Sequence, residues 1–255
     1  MSLKHESREA YEASHTPDKI ASRLEAGPGS VYLKDFVYGA VDGAVTTFAI
    51  VAGVAGAGLS AGVVIILGFA NLLADGFSMA VSNFLGTRAE NQLREQTRLR
   101  EMDEIRKFPE GEREEVRQIY SGKGFEGELL DQVVDVITSD AVRWVDTMLQ
   151  EEHGMALKDH DAAKAGLATF VAFSVVGLVP LLPYLFNWIY KGAVEQTFLW
   201  SSVLTGIAFF WVGALKARFV NQSRRVGGIE TVAMGGAAAA MAYIIGALLK
   251  GLVDQ

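Results

Sequence analysis

The run AGVVIILGFANLLADGFSMAVSNFL (61–85) passes almost directly into TRAENQLREQTRLREMDEIRK (87–107). The first part holds a single charged residue, Asp75, and is long enough to cross a bilayer, which takes roughly 20 apolar residues. The second part is strongly polar and contains neither Pro nor Gly; Pro109 and Gly111 follow it. One helix is therefore expected to leave the membrane, continue into water and stop at Pro109. That reading decides the fold class: an all-α membrane protein with a polar helical insert.

Working outward, four more stretches have the length and composition of spans: Phe36–Leu59, Ala165–Tyr190, Thr197–Leu215 and Thr231–Leu249. Across all five spans the only charged residues are Asp42 and Asp75. Helices of a soluble core would show a polar face, and these do not. The chain of 255 residues is half hydrophobic and carries 30 acidic against 23 basic residues, yet its mean hydropathy is +0.23. Charge and apolar residues must therefore be segregated. Between Ala89 and Asp161 lie 19 acidic and 10 basic residues, while the remainder holds 11 and 13. The whole acid surplus sits in the insert.

Composition also excludes function classes. The absence of Cys rules out a disulfide scaffold, thiolate zinc sites and Cys nucleophiles. The acidic balance argues against a nucleic-acid partner. An enzyme of the membrane di-iron type typically uses two Glu-x-x-His motifs. Only Glu12–His15 fits that spacing, so no enzymatic activity and no resident cofactor is expected.

The expected organisation is an N-terminal segment (1–35), spans one and two (36–88), an acidic helical domain (89–161) and spans three to five (162–255). Residues 6–27 can form a short amphipathic helix. Within the insert, helices are expected over Glu110–Tyr120 and Glu126–Ile137. A last one is N-capped by Ser139 or Asp140 and runs to about Leu157. Lys216, Arg218, Arg224 and Arg225 crowd the link between spans four and five, whereas the link between three and four carries only Lys191. The positive-inside rule then places the N-terminus and the insert in the cytosol and the C-terminus opposite. No targeting segment is apparent, which suggests a prokaryotic inner membrane.

Two constellations carry chemistry. A carboxylate at hydrocarbon depth is costly and is by default a functional-site hypothesis. Asp42 follows Gly39 and precedes Gly43, a small-residue face suited to close helix approach. In span two, Asn71, Asp75 and Met79 recur every four residues and so share one stripe. Two carboxylates can hold a dication and take up protons when it leaves. Oxygen ligands with one soft sulfur suit a borderline ion such as Fe²⁺ better than Mg²⁺ or Ca²⁺. In the insert, Glu101 and Glu104, then Glu112 and Glu115, are three apart; Met148 and Glu152 are four apart. If those helices pack, four to five carboxylates and a thioether converge as a metal site; a solvated acidic surface is the other reading. His153 and Glu151 are further, weaker candidates.

The runs Asp35-Phe36-Val37-Tyr38-Gly39-Ala40-Val41-Asp42-Gly43, Ala74-Asp75-Gly76-Phe77-Ser78-Met79-Ala80 and Leu178-Val179-Pro180-Leu181-Leu182-Pro183-Tyr184 resemble the vacuolar iron transporter family. The resemblance extends over nearly the whole chain from residue 35. It implies a homodimer of five-span subunits that exports Fe²⁺ or Mn²⁺ from the cytosol in exchange for protons, with Zn²⁺ and Co²⁺ as further candidate ions. It implies that Asp42 and Met79 line the transport path. It also implies that Glu101, Glu104, Glu112, Glu115, Met148 and Glu152 form a cytosolic metal site. The sequence departs from the plant pattern of that family, which has Glu at the place of Asn71 and a small residue at that of Asp75. A membrane-anchored metal sensor or buffer without transport is the alternative function.

Overall fold

The computed structural model describes residues 8–26, 32–220 and 222–253. Among these, every regular element is helical, and five helices are long and apolar enough to span a membrane. The protein is an integral membrane protein of all-α class. By contact it divides into two compact units, Met1–Asn83 with Ala163–Gln255, and Phe84–Ala162.

In the first unit, α1 (Arg8–Ser14) and α2 (Pro17–Ala26) precede the first span, α3 (Leu33–Ala57). The single amphipathic helix expected over 6–27 is thus two helices within the described residues 8–26, and residues 6, 7 and 27 lie outside them. Pro17 explains the division: it lacks an N–H and is accepted at a first helical position but not in an interior. Gly58, at φ 71°, ends α3 in the left-handed region that glycine tolerates. The helix α4 (Ala61–Lys107) is unbroken through both the apolar run 61–85 and the polar run 87–107.

The third span departs from the sequence reading. An uninterrupted segment over Ala165–Tyr190 is expected, but α8 (Ala162–Gly177) stops before a 3₁₀ turn at Val179–Leu181, and α9 (Leu182–Ile189) follows. Pro180 and Pro183 are the cause, since neither can donate to the helical ladder. The Ser201 hydroxyl, from outside the segment, donates to the Pro180 carbonyl at 2.6 Å. The last two spans, α10 (Thr197–Phe219) and α11 (Arg224–Val253), extend beyond their apolar stretches, so that α11 includes Glu230.

Span packing follows from small residues. A Cβ on Gly39 would collide with the Thr169 carbonyl oxygen of α8, and one on Gly43 with that of Phe173. The small-residue face read from the sequence is therefore the α3–α8 contact. The core joins Phe48, Val51, Leu72, Phe173, Leu181 and Phe209. Ile66, Leu73, Phe77, Trp188, Trp211 and Leu248 remain exposed on the outside, where lipid would cover them.

The second unit is built on its own apolar core of Val116, Leu130, Val134, Ile137, Trp144 and Met148. Its helices are the later part of α4, α5 (Pro109–Gly122), α6 (Gly127–Thr138) and α7 (Ala141–Glu151). Pro109 occupies the first turn of α5, and Asp140 caps α7 by accepting from the Arg143 N–H at 2.8 Å. Here too one expectation fails: α7 stops at Glu151 and does not reach Leu157. Gly154 adopts φ 63°, and the Met155 N–H turns back to the Leu149 carbonyl at 2.8 Å, closing the helix.

Candidate metal centre

In the membrane unit, α3 and α4 face each other through polar side chains. Near one end, Asn83 Nδ2 donates to Asp35 Oδ1 at 2.9 Å and to Thr169 Oγ1 at 2.7 Å. Two turns or more away, Asn71 Nδ2 donates to Thr46 Oγ1 at 3.1 Å and to Thr47 Oγ1 at 3.2 Å. The register these two rungs impose places Asp42 opposite Asp75 between them. The three stripe residues Asn71, Asp75 and Met79, and Asp42 on α3, are half-buried. Asn71 and Asp75 thus face α3, whereas Met79 packs against the apolar core. The sequence reading missed Asn83, although it continues the four-residue spacing of Asn71, Asp75 and Met79, and it missed Thr46 and Thr47, which carry no signal until their partner helix is known.

Asp42 also lines a cavity of about 790 Å³ with Tyr38, Lys216, Thr231 and Met234. Lys216 lies beyond the apolar stretch of span four, yet it shares this cavity and pairs with Glu230 at 3.7 Å.

In the acidic unit, α7 is tied to α4 by ion pairs and backbone capture. Arg98 reaches Asp146 at 2.6 Å. Arg94, itself only 9% exposed, donates to the carbonyls of Ala156 and Lys158 and pairs with Asp159. This clamps the chain after α7 and brings Glu152 and His153 over Glu101. One ligand atom from each of Glu101, Glu152 and His153 lies within 4.8 Å of the other two. His153 Nε2 is 2.9 Å from Glu101 Oε1 and 3.6 Å from Glu152 Oε2.

Glu112 joins the same electrostatic cluster. Burial, followed by the charges of Glu115, Glu101, Glu104 and Glu152, pushes its carboxyl up to about 7. Burial also raises Glu152, with His153 opposing and Glu101, Glu115 and Glu104 adding. The hydrogen bond to Glu101 raises His153, and the charges of Glu152 and Glu101 act in the same direction. Glu104 is partly engaged by Arg100 at 3.0 Å, and Glu115 is exposed. Met148 is fully buried in the unit's apolar core, one turn before Glu152. Glu151 turns away and pairs with Lys123.

Glu101 is 2% exposed and Glu112 is 7% exposed, and the Oε2 atom of each is buried without a hydrogen-bond partner. A buried carboxylate oxygen without a donor is unstable as it stands. A cation held by Glu101, Glu152 and His153 would satisfy the Glu101 oxygen and weaken the repulsion that adds to burial in raising Glu112. The donor set is mainly oxygen, with an imidazole beside it.

A sequence model of the VIT family matches residues 33–247 of the chain. A vacuolar iron transporter of Toxoplasma gondii is 33% identical over 267 residues, covering 96% of this chain and 88% of its own. One from Plasmodium falciparum is 29% identical, covering 98% of this chain and 93% of its own. Vacuolar iron transporter 1 of Oryza sativa is 30% identical over 212 residues, covering 83% and 82%. These relatives are vacuolar and eukaryotic, and so lend no support to the prokaryotic inner membrane expected from the sequence.

Proposed function

This chain belongs to the VIT family, and on that premise we propose that it exports a divalent metal, Fe²⁺ foremost and Mn²⁺ as a second cargo, from the cytosol in exchange for protons. The observation that carries this reading is the facing pair Asp42 and Asp75, held in register between two hydrogen-bonded rungs and the only charged residues of the five apolar stretches. Two carboxylates balance a dication, and two protons can replace it without leaving net charge in the hydrocarbon. Asn71 offers a further oxygen on the same stripe, and Met79 a soft sulfur one turn along.

The acidic unit collects cargo on the cytosolic side. Glu101, Glu112 and Glu152 are its nearest ligands, Glu104 and Glu115 extend its negative field, and Met148 supports the helix end that carries Glu152. The basic link between α10 and α11 favours a cytosolic N-terminus and acidic unit. Two copies would form the working assembly. A sensor or buffer without transport would leave Asp42 and Asp75 without a role.

The test is reconstitution of Asp42→Ala in proteoliposomes. Metal-dependent proton flux is expected to vanish while the protein stays folded by circular dichroism. Flux equal to wild type would remove Asp42 from the path.

A further inference from the structure

We propose that His153 is a nitrogen ligand to the ion held by Glu101 and Glu152, so that the acidic unit selects borderline dications over Mg²⁺ and Ca²⁺. The inference rests on the metal-binding reading of that unit and adds to it a residue, a coordination chemistry and a selectivity.

Geometry is the first support. Ligand atoms about 2.1 Å from a shared metal lie roughly 3 to 3.5 Å from one another in octahedral or tetrahedral arrangements. The His153 Nε2 separations of 2.9 Å to Glu101 and 3.6 Å to Glu152 bracket that range. A dication can therefore replace the proton shared between the ring and Glu101 with little movement of either.

An unsatisfied atom is the second support. The imidazole occupies only Oε1 of Glu101, while Oε2 is buried without a partner, as is Oε2 of Glu112. A plain His–Glu ion pair leaves both of those oxygens unsatisfied. A metal held by Glu101, Glu152 and His153 gives the Glu101 oxygen a partner.

The third support is how the ring is placed. The His153 N–H bonds the Met148 carbonyl at 3.3 Å, and Gly154 at φ 63° stops the helix immediately after. His153 is thus fixed on the closing turn of α7, only a quarter exposed, facing the α4 carboxylates. Imidazole suits Fe²⁺, Zn²⁺ and related ions, whereas carboxylate and water alone suit Mg²⁺, Ca²⁺ and Mn²⁺.

The experiment uses the full-length protein in detergent, with Co²⁺ and Mg²⁺ as the probes. Wild type, His153→Ala and Glu101→Ala are titrated by calorimetry, and proton NMR follows hyperfine-shifted imidazole N–H resonances on Co²⁺ addition. Loss of a metal-supporting partner costs about 10- to 100-fold in affinity even outside the first coordination sphere. His153→Ala is therefore expected to weaken Co²⁺ binding by at least about tenfold, leave Mg²⁺ binding unchanged and abolish one shifted imidazole resonance. Unchanged Co²⁺ affinity in His153→Ala, with Glu101→Ala still losing binding, would make His153 a mere ion-pair partner and overturn the proposal. Equal weakening of Co²⁺ and Mg²⁺ with no imidazole resonance would also overturn it, by assigning His153 to positioning Glu101. Unchanged Co²⁺ binding in Glu101→Ala would overturn the metal-site reading beneath it.

Discussion

Glu112 shows how one residue links charge, stability and cargo. Its carboxyl stands at about 7 instead of 4.5, so the folded protein holds a proton there that the unfolded chain gives up earlier. The sign follows from linkage: a folded state that binds more protons loses stability as pH rises. His153, raised through Glu101, acts in the same direction, since its contribution is present at low pH and lost as pH passes its folded value. Metal-free protein is therefore expected to melt at lower temperature as pH rises from about 4.5 to about 7, and added Fe²⁺ or Co²⁺ to restore it most at the upper end. A melting temperature that is flat over that range would contradict the cluster's electrostatics. The paired change Glu101→Ala with Glu104→Ala should weaken Fe²⁺ binding by the full-length protein, and unchanged calorimetric binding would restore the solvated-surface reading. Spacing made these Glu pairs visible in the sequence because a helix returns to the same face every three or four residues. His153 was only a weak candidate there, because its direction depends on Gly154 and on the Arg94 clamp, both tertiary facts.

At the scale of elements, close packing of the spans rests on glycine. Gly43 lies against the Phe173 backbone, where rigid main chain cannot move aside. Gly43→Ala is expected to cost about 1 to 3 kcal/mol, the range for overpacking a filled contact. Gly86, also helical but with nothing within 4 Å of an added Cβ, is the control; Gly86→Ala should be neutral or stabilising by about 0.4 to 1 kcal/mol. Thermal unfolding in detergent compares the two, and equal effects would contradict the α3–α8 contact. The spans themselves were legible from hydropathy, since lipid demands long uncharged helices. Their interruptions were less so. The apolar run through Pro180 and Pro183 reads as one span because hydropathy weighs side chains, while the break arises from missing backbone donors, and the Ser201 hydroxyl donates to the Pro180 carbonyl there. The end of α7 was misplaced for a related reason: Gly154 acts through a backbone angle, not through polarity.

At the scale of the whole molecule, the acid surplus and the apolar mass resolve into two units with different chemistry. One carries a pair of carboxylates facing each other between spans, and the other a buried carboxylate cluster with orphaned oxygens. The central claim is that the first passes a dication one way and protons the other. Metal uptake into proteoliposomes, recorded together with lumenal or external pH, tests it most directly when run with and without a pH gradient for Fe²⁺, Mn²⁺, Co²⁺ and Zn²⁺. The account predicts Fe²⁺ uptake accompanied by opposite proton movement and accelerated by an inward-acid gradient. Fe²⁺ binding without uptake, or uptake indifferent to the gradient and without proton movement, would contradict it.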